Sequence, residues 1–586
     1  MEGQQKRQWG VTSAISETPP TEKELKSNDK LVEALKAKNN FESPEGTENR
    51  VTLLRHLQKV VEEFIRRAGK AKGLPASTVD SAGGKIYTFG SFALGVFNPG
   101  SDIDTLIVAP KHIYMDDFFE HFPPTFKEMS EASEITEFVP VPDAHVPIIK
   151  LEFRGVSIDL LFVSLPTMSQ IPSDLELTER SCLRGLDDAG MRSINGARTV
   201  RELLDCIPQH KPFRVALRAV KLWSKGRGIY GNMYGYPGGI AWAIMVARIC
   251  QLYPFACGAT LLVKFFNLMG KWAWPRPVML KSIEPGSLNL RVWNPAIYPQ
   301  DRSHLMPIIT PAFPSMCSTH TITHSTKDTL LKEFKRAEEL LASIQNGKLA
   351  WADLFSPHTF FTEDHKYYLS VIAASRTKEA RDVFSGLVSS KVRLLVKGID
   401  DGVPGIDFAR PFPAEFDRVH HCDNEDQVER VTQGVLDFVV KPEDTKASAD
   451  ETTDGESAKT PAHTIYTTTF YIGLTLPEGD RKPSLDISFP VSEFKRYITD
   501  ATMYDENLMS VVVVHTRNHD LPADLFKGGE TRPVKPAKKE KKEKKKASSK
   551  SVKRPFAETG LDASEQSAKR RHSEKAPNGL PTATPA

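Results

Sequence analysis

FGSFALGVFNPGSDIDTLIVAP, Phe89 to Pro110, is the stretch on which the fold turns. Strand-like residues from Lys85 to Phe89 lead into Gly90-Ser91. A glycine at a strand end lets backbone N–H groups approach a phosphate, and the serine hydroxyl adds a donor. Eleven residues after Ser91, Asp102-Ile103-Asp104 runs into the apolar residues Leu106 to Ala109. Alternation along a strand over Asp102–Ala109 predicts both aspartates on one face. Two carboxylates that close repel unless a cation lies between them, and hard oxygen donors select Mg²⁺ or Mn²⁺.

A third carboxylate, Asp159, interrupts the apolar run Val156 to Phe162. Its neighbours favour burial, so the charge needs a partner. Pairing of that strand beside Asp102 and Asp104 would gather three carboxylates around two metal ions. Such a set activates an attacking hydroxyl and stabilises a leaving pyrophosphate. Each piece alone has an ordinary explanation: a D-x-D is most often a solvated turn, a strand Asp an edge residue facing water. The combination, with a strand Asp about fifty-five residues beyond the D-x-D, specifies a nucleotidyltransferase site.

Working outward, the 586 residues allow several domains, and 40% hydrophobic with 26% charged residues exclude a wholly disordered chain. The most apolar run, Gly238 to Ala247, ends at Arg248. A bilayer span needs about 20 apolar residues, so no membrane helix is expected, and no secretory leader either. Six cysteines without a CxxC pair argue for a reducing compartment and against a disulfide framework or a cysteine zinc site. Sixteen Lys and Arg face six Asp and Glu from Thr531 onward, a net +10, which leaves the first 530 residues at −7. The body must therefore bind any polyanion through a local basic surface.

The first fifty residues are polar and read as partly extended. Apolar spacings of three and four from Asn49 to Ala68 predict a helix. Strands are expected at Ile148–Phe153 and Val156–Val163, and helices dominate from Thr199 to Met269. Beyond Lys366 the pattern mixes: a helix at Lys378–Val396, strands at Thr464–Leu476, Ser484–Phe489 and Met509–Val514. Lys441 to His463 holds no large apolar residue and reads as a surface loop. The helix Pro212 to Lys225 places Arg214, Arg218, Lys221 and Lys225 on one face. That stripe could neutralise a triphosphate or an RNA backbone, or simply face solvent.

These motifs resemble the polymerase-β-like nucleotidyltransferases, and the wider sequence resembles the eukaryotic nuclear poly(A) polymerases of the fungal type. The likeness runs from about Ser27 to Leu525. It is carried by the Phe89–Pro110 stretch, FRVALRAVKLWSKGRGIYGN, GYPGGIAWAIMVARICQLYP, VWNPAIYPQDRSHLMPIITPAFPSMCSTH and GLVSSKVRLLV. Phe92, Ala93 and Phe97 stand where relatives carry Tyr, Arg and His, and Tyr236 replaces a Phe.

The resemblance implies a mixed α/β fold in four parts. A nucleotidyltransferase palm with a mixed sheet occupies 1–204 and a helical central domain 205–357. An RRM-like RNA-binding domain follows at 358–530 and a disordered basic tail at 531–586. It implies template-independent transfer of AMP from ATP to the 3′-hydroxyl of pre-mRNA, with two Mg²⁺ or Mn²⁺ ions. Asp102, Asp104 and Asp159 would be the catalytic metal ligands. Phe89, Gly90, Ser91, Ser101, Ile103, Asn195, Lys221, Tyr230, Asn232, Gly239 and Ile240 would join them around ATP. Lys150, Lys391 and Arg393 would contact RNA, with Lys397 a further candidate; no RNP aromatic motif is evident. The preference for adenine comes from the resemblance alone.

The resemblance further implies a nuclear enzyme, monomeric outside the cleavage and polyadenylation factor complex that recruits it. Basic clusters at Lys538–Lys546, Lys553-Arg554 and Lys569-Arg570-Arg571 suit nuclear import or added RNA affinity. Two rivals remain: transfer of uridylate or CCA, and an inactive RNA-binding scaffold. The intact set of aspartates argues against the scaffold.

Overall fold

The computed structural model describes residues 8–144, 146–286, 288–402, 406–440, 462–477, 486–526 and 529–535. Two helices, α1 (Glu22–Ala37) and α2 (Pro44–Ala71), precede the first sheet. Ser43 accepts a hydrogen bond from Gly46 N, and Pro44 opens α2, where its missing N–H is no loss. Leu53, Leu57, Val60, Val61, Phe64, Ile65 and Ala68 form its buried stripe. The sheet comprises β1 (Lys85–Thr88), β2 (Ile103–Pro110), β3 (Ile135–Val141), β4 (Ile148–Phe153) and β5 (Val156–Leu165), in the order β1-β2-β5-β4-β3. The central pair β2 and β5 is parallel and the others are antiparallel.

Alternation divides β2 and β5 between two cores. Ile103, Ile107, Ile158 and Phe162 face α2 and Phe118, Phe122 and Phe126 of a later helix, Met115–Met129. Leu106, Val108, Val163 and Leu165 face Ile194 and Ala197 of another, Asp188–Asp205. In chain order these are α5 and α6, after the short α3 (Ala76–Ser81) and α4 (Gly90–Ala93).

A helical layer follows: α7 (His210–Gly226), α8 (Gly239–Leu252), α9 (Gly258–Gly270), α10 (Pro299–Arg302), α11 (His324–Gln345) and α12 (Trp351–Leu354). Trp223, Trp242, Phe265, Phe266 and Phe334 interlock at its centre with ring centroids 4.7–6.3 Å apart. The last sheet is antiparallel. It holds β6 (Tyr367–Ser375), β7 (Phe408–Pro411), β8 (Phe416–Cys422), β9 (His463–Thr475) and β10 (Met509–Arg517), with β9 pairing β6, β7 and β8. Helix α13 (Lys378–Gly402) packs on it, α14 (Glu425–Thr432) lies between β8 and β9, and α15 (Ser488–Thr499) packs on α13. Among the described residues no helix is long and apolar enough to cross a membrane, and all six cysteines are free.

Three expectations need correction. The amino-terminal segment is irregular over 8–21 and 38–43 but helical between them: α1 carries a capping box in which Thr21 and Glu24 bond each other's backbone N–H. Its Leu31 and Leu35 are fully buried against the helical layer. The strand expected at Ser484–Phe489 is helical from Ser488, and positions 484 and 485 lie outside the described residues. Asp102 precedes β2, which begins at Ile103, so strand alternation does not set its direction. The loop expected at Lys441–His463 lies outside the described residues up to 461. The basic clusters of the tail are outside them too.

Candidate active site

The parallel register sets Asp104 directly beside Asp159, and the antiparallel register sets Lys150 on the other side of Asp159. By alternation both aspartates fall on the face of the sheet that packs on α6, and residues of α6 line the cavity beside Asp104. Asp102 joins them from the loop. One carboxylate oxygen from each of Asp102, Asp104 and Asp159 lies within 4.8 Å of the others. Burial, then Asp102 and Asp159, push Asp104 up to about 6. Burial, then Asp102, raise Asp159 as well, and Lys150 partly offsets this. Three oxygen donors that repel one another in this way fit a divalent cation, which would relieve the repulsion.

Gly90 closes against this group. Its φ is +60°, and a Cβ there would fall 1.8 Å from Asp104 Oδ2. The next residue, Ser91, has a buried Oγ with no hydrogen-bond partner in the structure. An unpartnered buried hydroxyl beside a loop of backbone N–H groups fits a phosphate oxygen.

The cavity in front of these residues measures about 830 Å³. Of the expected ATP contacts, Phe89, Gly90, Ser91, Ser101, Asp102, Asp104, Asn195, Lys221, Tyr230, Gly239 and Ile240 line it. Lys221 and Tyr230 enter from α7 and the turn after it. Burial, then Lys225 and Arg218, lower the Lys221 ammonium to about 8 despite Asp102 and Asp104. Burial, then Asp102 and Asp104, push the Tyr230 phenol up to about 12, so it stays a donor. The amino-terminal end of α8 opens on the cavity at Gly239 and Ile240, where free backbone N–H groups favour an anion.

Other expected residues sit differently. Ile103 is fully buried in the sheet core. Asn232 stands on a turn outside the cavity wall, its amide oxygen taken by Thr321 Oγ1 at 2.6 Å. The Ser101 hydroxyl lines the cavity but is engaged with Asn98, donating to Oδ1 and accepting from N. The basic stripe divides. Arg214 donates to Leu94 O, and Arg218 to Phe97 O, Gly95 O and Asn40 O. These two clamp the loop after Ser91, while Lys221 and Lys225 face the cavity. Lys150 is exposed, Lys391 and Arg393 are half-buried on α13, and Lys397 is paired with Asp401 at 2.5 Å.

The cavity also has walls outside the expected ATP contacts, among them Lys225 of the predicted basic stripe. Lys225 follows Lys221 by one helical turn, and Ser157 lies two residues before Asp159 on the same strand face; both spacings were visible. Thr199 and Thr310 also line it. Thr310 comes from an irregular segment and carries no such signal.

Family comparison gives three consecutive matches. Residues 10–207 match the poly(A) polymerase nucleotidyltransferase domain, 212–357 the poly(A) polymerase central domain, and 359–535 the poly(A) polymerase predicted RNA binding domain. The poly(A) polymerase pla1 of Schizosaccharomyces pombe is 43% identical over 90% of this chain and 95% of its own. The poly(A) polymerase PAPa of Candida albicans is 42% identical over 90% and 94%. Among solved structures, the Cid1 poly(U) polymerase covers 57% of this chain and 99% of its own. Its TM-score of 0.37 at 14% identity is too loose to add weight. With its aspartate group intact and all three domain models matched in order, the chain belongs to the poly(A) polymerase family.

Proposed function

We propose that this enzyme extends RNA 3′ ends without a template, transferring AMP from ATP to the terminal hydroxyl of pre-mRNA. The 3′-oxygen attacks the α-phosphorus, the bond to the β-phosphate oxygen breaks, and pyrophosphate leaves. The observation that carries the reading is the convergence of Asp102, Asp104 and Asp159 within 4.8 Å, with Asp102 and Asp104 on the cavity wall and Asp159 beside Asp104 on the next strand. Two Mg²⁺ or Mn²⁺ ions suit this set. Asp102 and Asp104 would hold both, and Asp159 the one nearer the primer. When bound, such ions activate the attacking hydroxyl and neutralise charge on the leaving group.

The chain's own part is positioning. Gly90 and Ser91 receive phosphate from the sheet side, and Lys221, Tyr230 and the start of α8 receive it from the helical side. Asn195 faces the nucleoside from the cavity wall. Asn232 reaches it once the Thr321 bond is given up. Lys150, beside Asp159, holds the last phosphate of the primer, and Lys391 and Arg393 hold phosphates upstream. Approach of the two sides of the cavity would exclude water and align ATP with the primer.

Primer extension tests this: a labelled oligo(A) RNA, one nucleoside triphosphate at a time, Mg²⁺ or Mn²⁺, wild type beside Asp159→Ala. The expected result is a ladder with ATP alone, reduced by about 10³-fold or more in the variant. A ladder with UTP or CTP would overturn the substrate. No ladder from folded wild-type protein would favour the scaffold.

The same reading places the enzyme in the nucleus as a monomer recruited by the cleavage and polyadenylation complex. The basic clusters beyond Lys535 support import. A fluorescent fusion lacking 536–586 should lose nuclear accumulation, and unchanged accumulation would reject that assignment.

A further inference from the structure

The turn that carries Tyr230 is held from behind by the carboxy-terminal sheet. Helix α7 ends at Gly226 with Arg227 as its cap, and the last carbonyls of a helix lack partners within it. The carbonyl of Arg227 accepts a hydrogen bond from Nη2 of Arg410, 2.8 Å away on β7. Nη1 of the same guanidinium pairs with Asp364 Oδ2 at 2.8 Å. Both arginines are 5% exposed. Arg227 is itself locked to Glu333 by two bonds of 2.9 and 2.8 Å.

Two further contacts brace the turn. Gly228 has φ +63°, and a Cβ there would lie 3.2 Å from the ring of Phe412. The Tyr236 hydroxyl donates to Pro411 O at 3.2 Å. Tyr230 emerges between these anchors, with Lys225 and Lys221 one and two turns back on α7.

A buried guanidinium is costly unless its arms are satisfied, whereas apolar packing alone could hold two domains together. What Arg410 adds is direction. A cation at the carboxy-terminal end of a helix also opposes the helix dipole favourably. None of the groups involved touches the cavity, so they act on ATP only through α7 and Tyr230.

We propose that Arg410 is a positioning residue for the nucleotide site: the carboxy-terminal domain lends it as a cap to α7, which sets Tyr230 and ties that domain to ATP affinity. This rests on the reading of Tyr230 as a phosphate contact.

A double-mutant cycle on the full chain tests it, with Arg410→Met, Tyr230→Ala and the pair. The readouts are KM for ATP, kcat, and the Kd for oligo(A). Arg410→Met should raise the ATP KM about tenfold, the effect of one lost bond to a charged donor. Its kcat should change by less than about twofold and its oligo(A) Kd should hold. In the Tyr230→Ala background it should add nothing, because both changes remove one interaction. An unaltered ATP KM in Arg410→Met, or effects that multiply in the pair, would overturn the proposal. An unaltered ATP KM in Tyr230→Ala would instead reject the phosphate contact, and the role of Arg410 with it. Should Arg410→Met fail to fold, Arg410→Lys carries the same cycle. It keeps the charge but cannot reach both acceptors, and about a threefold rise in ATP KM is expected.

Discussion

At Gly90 the backbone lies in the left-handed region with the Asp104 carboxylate where a side chain would go. Gly90→Ala must either move that carboxylate or give up the conformation, at a cost of about 1–2 kcal/mol. Thermal melts should show that loss, and primer extension a far larger one. Asp104 has a separate effect on stability in EDTA. Its folded-state value of about 6 exceeds the usual 3.8, so the folded chain binds the extra proton. Stability from this group therefore falls as pH rises from about 4 to 6, by about 3 kcal/mol, and is flat above. Asp104→Asn should flatten that step and raise the EDTA melting temperature at pH 7 while abolishing extension. The stabilisation by Mg²⁺ should grow as pH climbs through 6, since ligation needs the ionised carboxylate. The aspartates were legible in the sequence because charge in an apolar strand needs a reason. The engagement of Ser101 and Asn232 was not, because neither the nearby Asn98 nor the distant Thr321 marks itself as a partner in spacing.

Among the elements, α7 shows how far periodicity reaches. It gave the shared face of Arg214, Arg218, Lys221 and Lys225, but not what each meets along that face. The first two meet carbonyls of the loop after Ser91, because α7 crosses that loop before it reaches the cavity. Arg218→Met would strand three carbonyls, and urea denaturation should register a loss of about 3 kcal/mol. Lys221→Ala should instead raise the ATP KM and leave stability nearly intact, since burial already works against its charge. The strands β2, β4 and β5 and helix α2 were readable from two simple periods. Helix α1 was missed even though Thr21-x-x-Glu24 spells a capping box, because a mean polarity that high masks a two-leucine stripe. Ser488–Thr499 was missed for the opposite reason: a β-branched and aromatic composition that its packing on α13 overrides.

Across the whole molecule, the amino-terminal segment belongs by contact to the helical layer rather than to the sheet that follows it. Glu24 and Asn28 meet Thr260 and Ala259 on α9, and Leu31 and Leu35 are buried beside it. Deleting residues 1–40 removes two fully buried leucines, worth about 2 kcal/mol each. The denaturation midpoint should drop accordingly, while α2 and its sheet, which have their own core, keep their secondary structure. The arrangement also sets a timetable. Glu24 and its partner Thr260 lie 236 residues apart, so a ribosome adding about 5–20 residues per second needs roughly 12–47 seconds between them. The helix made first thus waits for α9 before it can dock, and through that interval its leucine face is what a nascent-chain chaperone would meet.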